Sequence, residues 1–228
     1  VFWFGLRPDP LLVAKQLNAL DGKIKPKVSF GSAFSTLKQH PIAAFAVAAI
    51  GLSHMVMVSV MAMTPVHMQH EMGANLVIMG FTISLHIAGM YAFSPIFGWL
   101  SDKIGKIQTV ALGQVIYIAA LAFAGFGMHD HNSVLLGLFL LGLGWSAATV
   151  SGSALLSASL PAEQKTNVQG LSDALMNLSG AFGGAISGSI MAALMFVGLN
   201  LAALIPVVLI LLLSGIALLK KQQGDSRS

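Results

Sequence analysis

Apolar residues fall into six long blocks separated by short polar interruptions, near 41–63, 75–100, 106–128, 133–159, 168–197 and 199–219. A helix needs roughly 20 mostly apolar residues to cross the hydrocarbon of a bilayer, and each block is of that order. Pro41 suits a first helical turn, while Ser101-Asp102, His129 to Asn132 and Pro161 to Lys165 punctuate the later blocks. The pattern predicts an all-α membrane protein with a six-transmembrane-helix bundle over 41–219. Residues 7–40 read as a polar linker in which Pro8, Pro10, Gly22 and Pro26 break any long helix, and 220–228 as a polar tail. Val1 to Leu6 looks like the end of an apolar helix rather than a signal peptide, so a preceding part of the protein is expected upstream.

Composition agrees with lipid as the main solvent. The chain is 56% hydrophobic, and 12 Lys and Arg with 8 Asp and Glu are too few to cover a water-soluble core of this size. The basic residues settle an expected orientation. Arg7, Lys15, Lys23, Lys25, Lys27 and Lys38 precede the first span, Lys103 and Lys106 lie after the second, Lys165 after the fourth, and Lys220, Lys221 and Arg227 in the tail. All 12 thus fall on one side, which the retention of Lys and Arg in cytoplasmic loops makes the cytoplasmic one, with both termini there. That topology explains the net charge of +4 without a nucleic-acid partner. The basic linker can also touch anionic lipid.

The absence of Cys excludes disulfides, thiolate nucleophiles and thiolate metal sites. No enzyme constellation stands out. His70-Glu71-Met72-Gly73-Ala74 lacks the second His of a zinc-protease helix, and neither a G-x-S-x-G turn nor a phosphate-binding loop ending in Lys-Ser or Lys-Thr occurs. The chain is expected not to be an enzyme and to need no cofactor.

In the fifth span Gly180, Gly184 and Gly188 recur every four residues, beside Gly183 and Ser187. Small residues at this spacing make a strip on which another helix backbone can lie closely, so these glycines read as packing rather than chemistry. Polar groups inside spans are functional candidates. They are His54 in the first span, His86 in the second, Gln114 in the third, Trp145 in the fourth, and Asp173 and Asn177 in the fifth. Either His could instead be a satisfied packing residue. Asp173 could carry a coupling proton, or interact with the dipole of its own helix start. Proton coupling would rest on His54, His86 and Asp173.

His and Met together number 19, and 12 of them lie between His54 and Met90, where even placement would give about 3. His54, Met57 and Met61 share one helix face, and His86 with Met90 is an i, i+4 pair on the next helix. Thioether and imidazole suit the soft ion Cu(I), but Met is also a common apolar filler. Outside the spans, His67, His70 and Glu71, and His129, Asp130 and His131, read as solvated loop residues that could collect metal or sense pH.

The stretch Gly98-Trp99-Leu100-Ser101-Asp102-Lys103-Ile104-Gly105-Lys106-Ile107 resembles the signature loop of the major facilitator superfamily, matching at Gly98, Asp102, Lys103, Gly105 and Lys106. Ile107 departs where a second basic residue is common. The resemblance implies one half of a major-facilitator-type fold, the carboxy-terminal six helices, paired with an upstream six-helix half. It further implies alternating-access transport of a small solute, with the loop as a gate and Asp102 as its latch. Met57-Val-Ser-Val-Met61 and His86-Ile-Ala-Gly-Met90 look similar to motifs of the bacterial copper-importing branch. That likeness implies Cu(I) as substrate, Met57, Met61, His86 and Met90 as metal ligands, and an inner membrane of a bacterial or archaeal cell as location. A small organic molecule, taken up or exported by efflux, is the alternative substrate, and a non-transporting membrane scaffold or sensor the alternative from another class.

Overall fold

The computed structural model describes residues 30–225, with side chains described as far as Leu219. Expectations placed on residues 1–29, on the side chains of 220–225 and on 226–228 lie outside the described residues. Among the described residues every regular element is a helix: α1 (Phe30–Gln39), α2 (Pro41–His70), α3 (Leu76–Tyr91), α4 (Ser94–Ile104), α5 (Lys106–Phe126), α6 (His131–Ala158) and α7 (Ala162–Asp225).

Local chemistry sets the joints. Pro41 opens α2, where its missing N–H leaves no bond unmade. The Asn75 side chain accepts from the Ile78 N–H at the start of α3, and Asp130 accepts from the Ser133 N–H at the start of α6. Gly105, at φ 109°, joins α4 directly to α5, a backbone state that a side chain would oppose. The second span is therefore α3 plus α4, interrupted between Tyr91 and Ser94, where Pro95 starts the new helix.

Residues 41–70, 76–104, 106–126 and 131–158 are each long and apolar enough to cross a membrane, as is 162–219. At about 1.5 Å per residue, a 58-residue stretch is far longer than the roughly 30 Å of hydrocarbon. The chain turns at Met195, the one non-Gly residue described with positive φ (φ 61°, ψ −179°). Ala217 and Leu218 near the end of α7 pack on the same cluster as Val168 and Leu171 near its beginning. Its two arms are thus antiparallel and supply two crossings, and the six-crossing, all-α bundle expected from the pattern is the architecture observed.

Three local features differ from expectation. The fifth and sixth spans meet at Met195 with no loop, rather than near 198. The first span continues to His70 instead of stopping near 63, carrying Pro65 inside the helix. Part of the linker is helical, because α1 buries Ala33 and Leu37 on the bundle.

The core is layered along the bundle. At the end bearing Lys38, Lys103, Lys106 and Lys165, residues from α1, α2, α5, α6 and α7 form one cluster that includes Leu37, Val47, Ile107, Leu156 and Val168. A middle cluster gathers Val56, Tyr117, Leu141, Phe196 and Leu199. At the far end Met68, Met79, Val134 and Leu138 pack together, with Met61 and Met72 beside them. Half of the most apolar stretch of α2, α5 and α6 is buried, against 28% for α3 with α4 and 22% for α7. The latter elements present the open faces, including Val77, Phe81 and Tyr91 on α3 and Leu178 and Phe182 on α7.

Candidate functional site

Polar side chains tie the centre of α2 to its neighbours. The buried Tyr117 hydroxyl donates to the Ser53 carbonyl at 2.8 Å, and Gln114 Nε2 donates to Ser53 Oγ at 3.1 Å. One residue further, His54 faces α6, where Trp145 Nε1–H donates to His54 Nδ1 at 3.0 Å. The half-buried imidazole also lies across α7: a Cβ on Gly180 would fall 2.6 Å from His54 Cδ2 and 2.8 Å from Nε2. Beyond Trp145, the exposed Tyr91 meets the indole edge-on with 5.8 Å between ring centroids. His54, Trp145 and Tyr91 thus form a row from inside the bundle to the open face of α3.

The small-residue strip on α7 lies against α2. A Cβ on Gly183 would sit 2.5 Å from Ser59 Oγ, one on Gly184 would sit 3.3 Å from Val58, and one on Gly188 3.8 Å from Met63 Sδ. On the exposed side of α7, Gln169 Nε2 donates to Asp173 Oδ1 at 3.1 Å and Asn177 Nδ2 donates to the Asp173 carbonyl at 2.8 Å. Asp173 and Asn177 are both exposed.

His86 sits elsewhere, buried between α3 and α6. Its Nδ1 lies 2.8 Å from the Leu138 carbonyl oxygen and its Nε2 is buried without a partner. Met90, one turn on, is buried in the same seam. Met57 is also buried, whereas Met61 joins Met68 and Met79 at the far end. α2 and α3 each pack along α6 rather than along each other. The four sulfur and imidazole groups expected to share an ion are therefore distributed over separate interfaces. Among the described residues no three His, Asp or Glu side chains are grouped closely enough to hold a metal.

The last turn of α4 presents Asp102 at the surface, paired at 3.6 Å with Lys106 across the Gly105 junction at the start of α5. Lys103 Nζ lies 4.7 Å from the centroid of the Trp99 ring. Gly98 has Val150 of α6 as its neighbour, 4.0 Å from where a Cβ would be.

Of the histidines read as solvated, His70 and His129 are exposed, but His67 is 2% exposed. The extension of α2 to His70 draws His67 inward, where Nε2 lies 2.7 Å from the Met128 carbonyl oxygen and the ring stacks on Phe196 at 4.3 Å. Outside the spans, Asp130 accepts from both the hydroxyl and the N–H of Ser133, which hold its carboxyl below the usual range. Tyr91 and Tyr117 were not evident as partners in the sequence. Tyr91 and Tyr117 are the chain's two tyrosines, a scarcity that was the available signal.

Six crossings around a polar seam, with the described Lys residues confined to one end, define a polytopic helical membrane protein. The chain belongs to the Major Facilitator Superfamily, whose family model matches residues 3–228. It is similar to two proteins of Bacillus subtilis (strain 168) described as uncharacterized MFS-type transporters. YdeG is 35% identical over 215 residues, which cover 91% of this chain and 50% of YdeG. YddS is 37% identical over 213 residues, covering 90% of this chain and 48% of YddS. The chain spans about half the length of these curated relatives.

Proposed function

We propose that this chain is the carboxy-terminal half of a secondary active transporter that moves a small solute by alternating access, working against an upstream six-helix half. The observation that carries the reading is the open side of α7. A carboxylate and an amide, Asp173 and Asn177, stand exposed on a helix of membrane-crossing length. In hydrocarbon such groups are costly, so they call for a water-filled path or a second protein surface in front of them. The row His54, Trp145 and Tyr91 supplies the other polar and aromatic lining of that path. Among the described residues Asp102 is exposed and engaged only with Lys106, which leaves the carboxylate available to the opposite half as a latch. The family supports the reading, and the positive-inside pattern supports both termini on the cytoplasmic side of a bacterial cell membrane.

For the substrate, a small organic molecule is the better supported reading, because Met57, Met61, His86 and Met90 do not converge. Cu(I) is the second reading, and the unpartnered, buried His86 Nε2 favours it. The test uses the full-length protein in cells and in proteoliposomes. Copper content is measured for wild type, Met57→Leu with Met61→Leu, and His86→Ala, alongside gradient-driven uptake of a panel of organic solutes in wild type and Asp173→Asn. A copper change in wild type that reverts in the first two variants selects Cu(I). Solute uptake lost in Asp173→Asn selects the organic reading, and no movement of either kind under any imposed gradient overturns transport.

A further inference from the structure

Two histidines lie within spans near the seam, and their partners assign them opposite tautomers. An indole N–H can only donate, so His54 Nδ1, 3.0 Å from Trp145 Nε1, is a bare nitrogen and the proton of the neutral ring sits on Nε2. A carbonyl can only accept, so His86 Nδ1 carries the proton and its buried Nε2 is bare.

The consequence differs between the two rings. A second proton on His86 would create a buried cation whose new N–H has no acceptor, in a residue 1% exposed. A second proton on His54 would add to Nδ1, the atom that now accepts from Trp145. Two N–H donors would then point at each other across about the length of one hydrogen bond, and they cannot stay there. Protonation of His54 and its bond to Trp145 are mutually exclusive, and that bond spans α2 and α6.

The surroundings leave His54 free to respond. From α5 the nearest titratable group is Tyr117, already donating to Ser53. From α6 only Trp145 bonds to the ring. From α7 the ring meets Gly180, and Asp173, two turns away, is engaged with Gln169. From α3, Tyr91 lies behind the indole and His86 is bonded to Leu138. Among the described residues no Lys, Arg, Asp or Glu pairs with His54, and the ion pair present joins Lys106 to Asp102.

We propose that His54 is the residue that takes up the coupling proton, and that Trp145 is its positioning residue, holding the neutral tautomer and being released when Nδ1 is protonated. The proton arrives from the aqueous path onto the Nδ1 lone pair and leaves from the same atom, and no covalent bond other than N–H is made or broken. Loss of the Trp145 bond frees α6 and the Tyr91 edge contact from α2, which converts a proton into a change in helix spacing. This inference rests on the transport reading for its purpose but not for its test.

Trp145 emission is the readout, obtained in the purified full-length protein as wild type minus Trp145→Phe, because an imidazolium quenches a neighbouring indole. The difference signal, followed from about pH 8 down to about pH 4, is expected to fall in one titration step as the ring takes up its second proton. That step is lost in His54→Asn, whose Oδ1 can still accept the indole N–H but cannot titrate, and is kept in His86→Asn. Variants are compared only as monodisperse preparations of matched helical content. In transport, Trp145→Phe moves the pH profile upward by about 0.4–1 pH unit, the equivalent of one lost hydrogen bond. A step that persists in His54→Asn, or no step in wild type over this range, overturns the proposal. A normal titration with no transport of any solute would instead sink the transport reading alone.

Discussion

A methyl group on Gly142 of α6 would run into the backbone carbonyl oxygen of His86 on α3. It would also fall 3.0 Å from the Met90 nitrogen, so the neighbour on both counts is backbone rather than a side chain that could swing away. α3 has few other anchors, since its packing is almost all on α6.

Gly142→Ala is therefore expected to push α3 off α6, with an overpacking penalty of about 1–3 kcal/mol. Reversible unfolding in mixed micelles measures it, with Gly80→Ala as a reference, because a Cβ at Gly80 meets nothing within 4 Å. Equal stabilities for the two variants would show that the helices separate without strain.

Tyr117→Phe removes the hydroxyl that bonds to Ser53 while keeping the ring, which is fully buried in the middle cluster. Interhelical hydrogen bonds within membranes average about 0.6 kcal/mol, with a maximum near 1.7. A loss in that range is expected from the same unfolding measurement. A loss above about 3 kcal/mol would assign Tyr117 a role larger than one bond.

Met195 holds a backbone state that is nearly restricted to glycine, and its side chain is 58% exposed. Met195→Gly should therefore release strain of about 1–3 kcal/mol with little packing to lose. A raised thermal midpoint is the expected result, whereas a lowered one would mean that the side chain holds the turn.

Asp130 gives a pH dependence outside the membrane. Hydrogen bonds from Ser133 hold its carboxyl below the usual range, so the folded state binds this proton less readily than the unfolded chain. The cap's contribution is complete above the unfolded value of about 3.9 and disappears as pH falls through the lower, folded value. Asp130→Asn retains a capping oxygen and should flatten this acid limb in thermal unfolding followed from pH 6 downward. An unchanged limb would place the acid sensitivity elsewhere.

The crossings were legible because bilayer thickness imposes one length on every apolar block, and the 98–107 loop because its Gly, Asp and Lys spacing is local. What joins distant helices was not. His54 and Trp145 are 91 positions apart, and only the packing of α2 along α6 brings them into reach. Periodicity puts Met57 with Met61, and His86 with Met90, one turn apart on single helices. It carried no information on which helix each face would meet, and α2 and α3 turn out to share α6 instead of each other. The turn between the last two spans was hidden for a different reason, since Met195 is not a residue type that signals positive φ.

The direct junction at Met195 has a mechanical consequence. One arm of α7 rests on α2 beside His54 through Gly180, and the other begins at Phe196, stacked on His67 of the same helix. A single bent element thus lies along α2 from His54 to Met63 with one arm and meets it again at His67 with the other, with no loop between the arms. With no loop to take up slack, a displacement of α2 meets both arms together, so the last two crossings are coupled through the elbow instead of being tethered by a flexible connector.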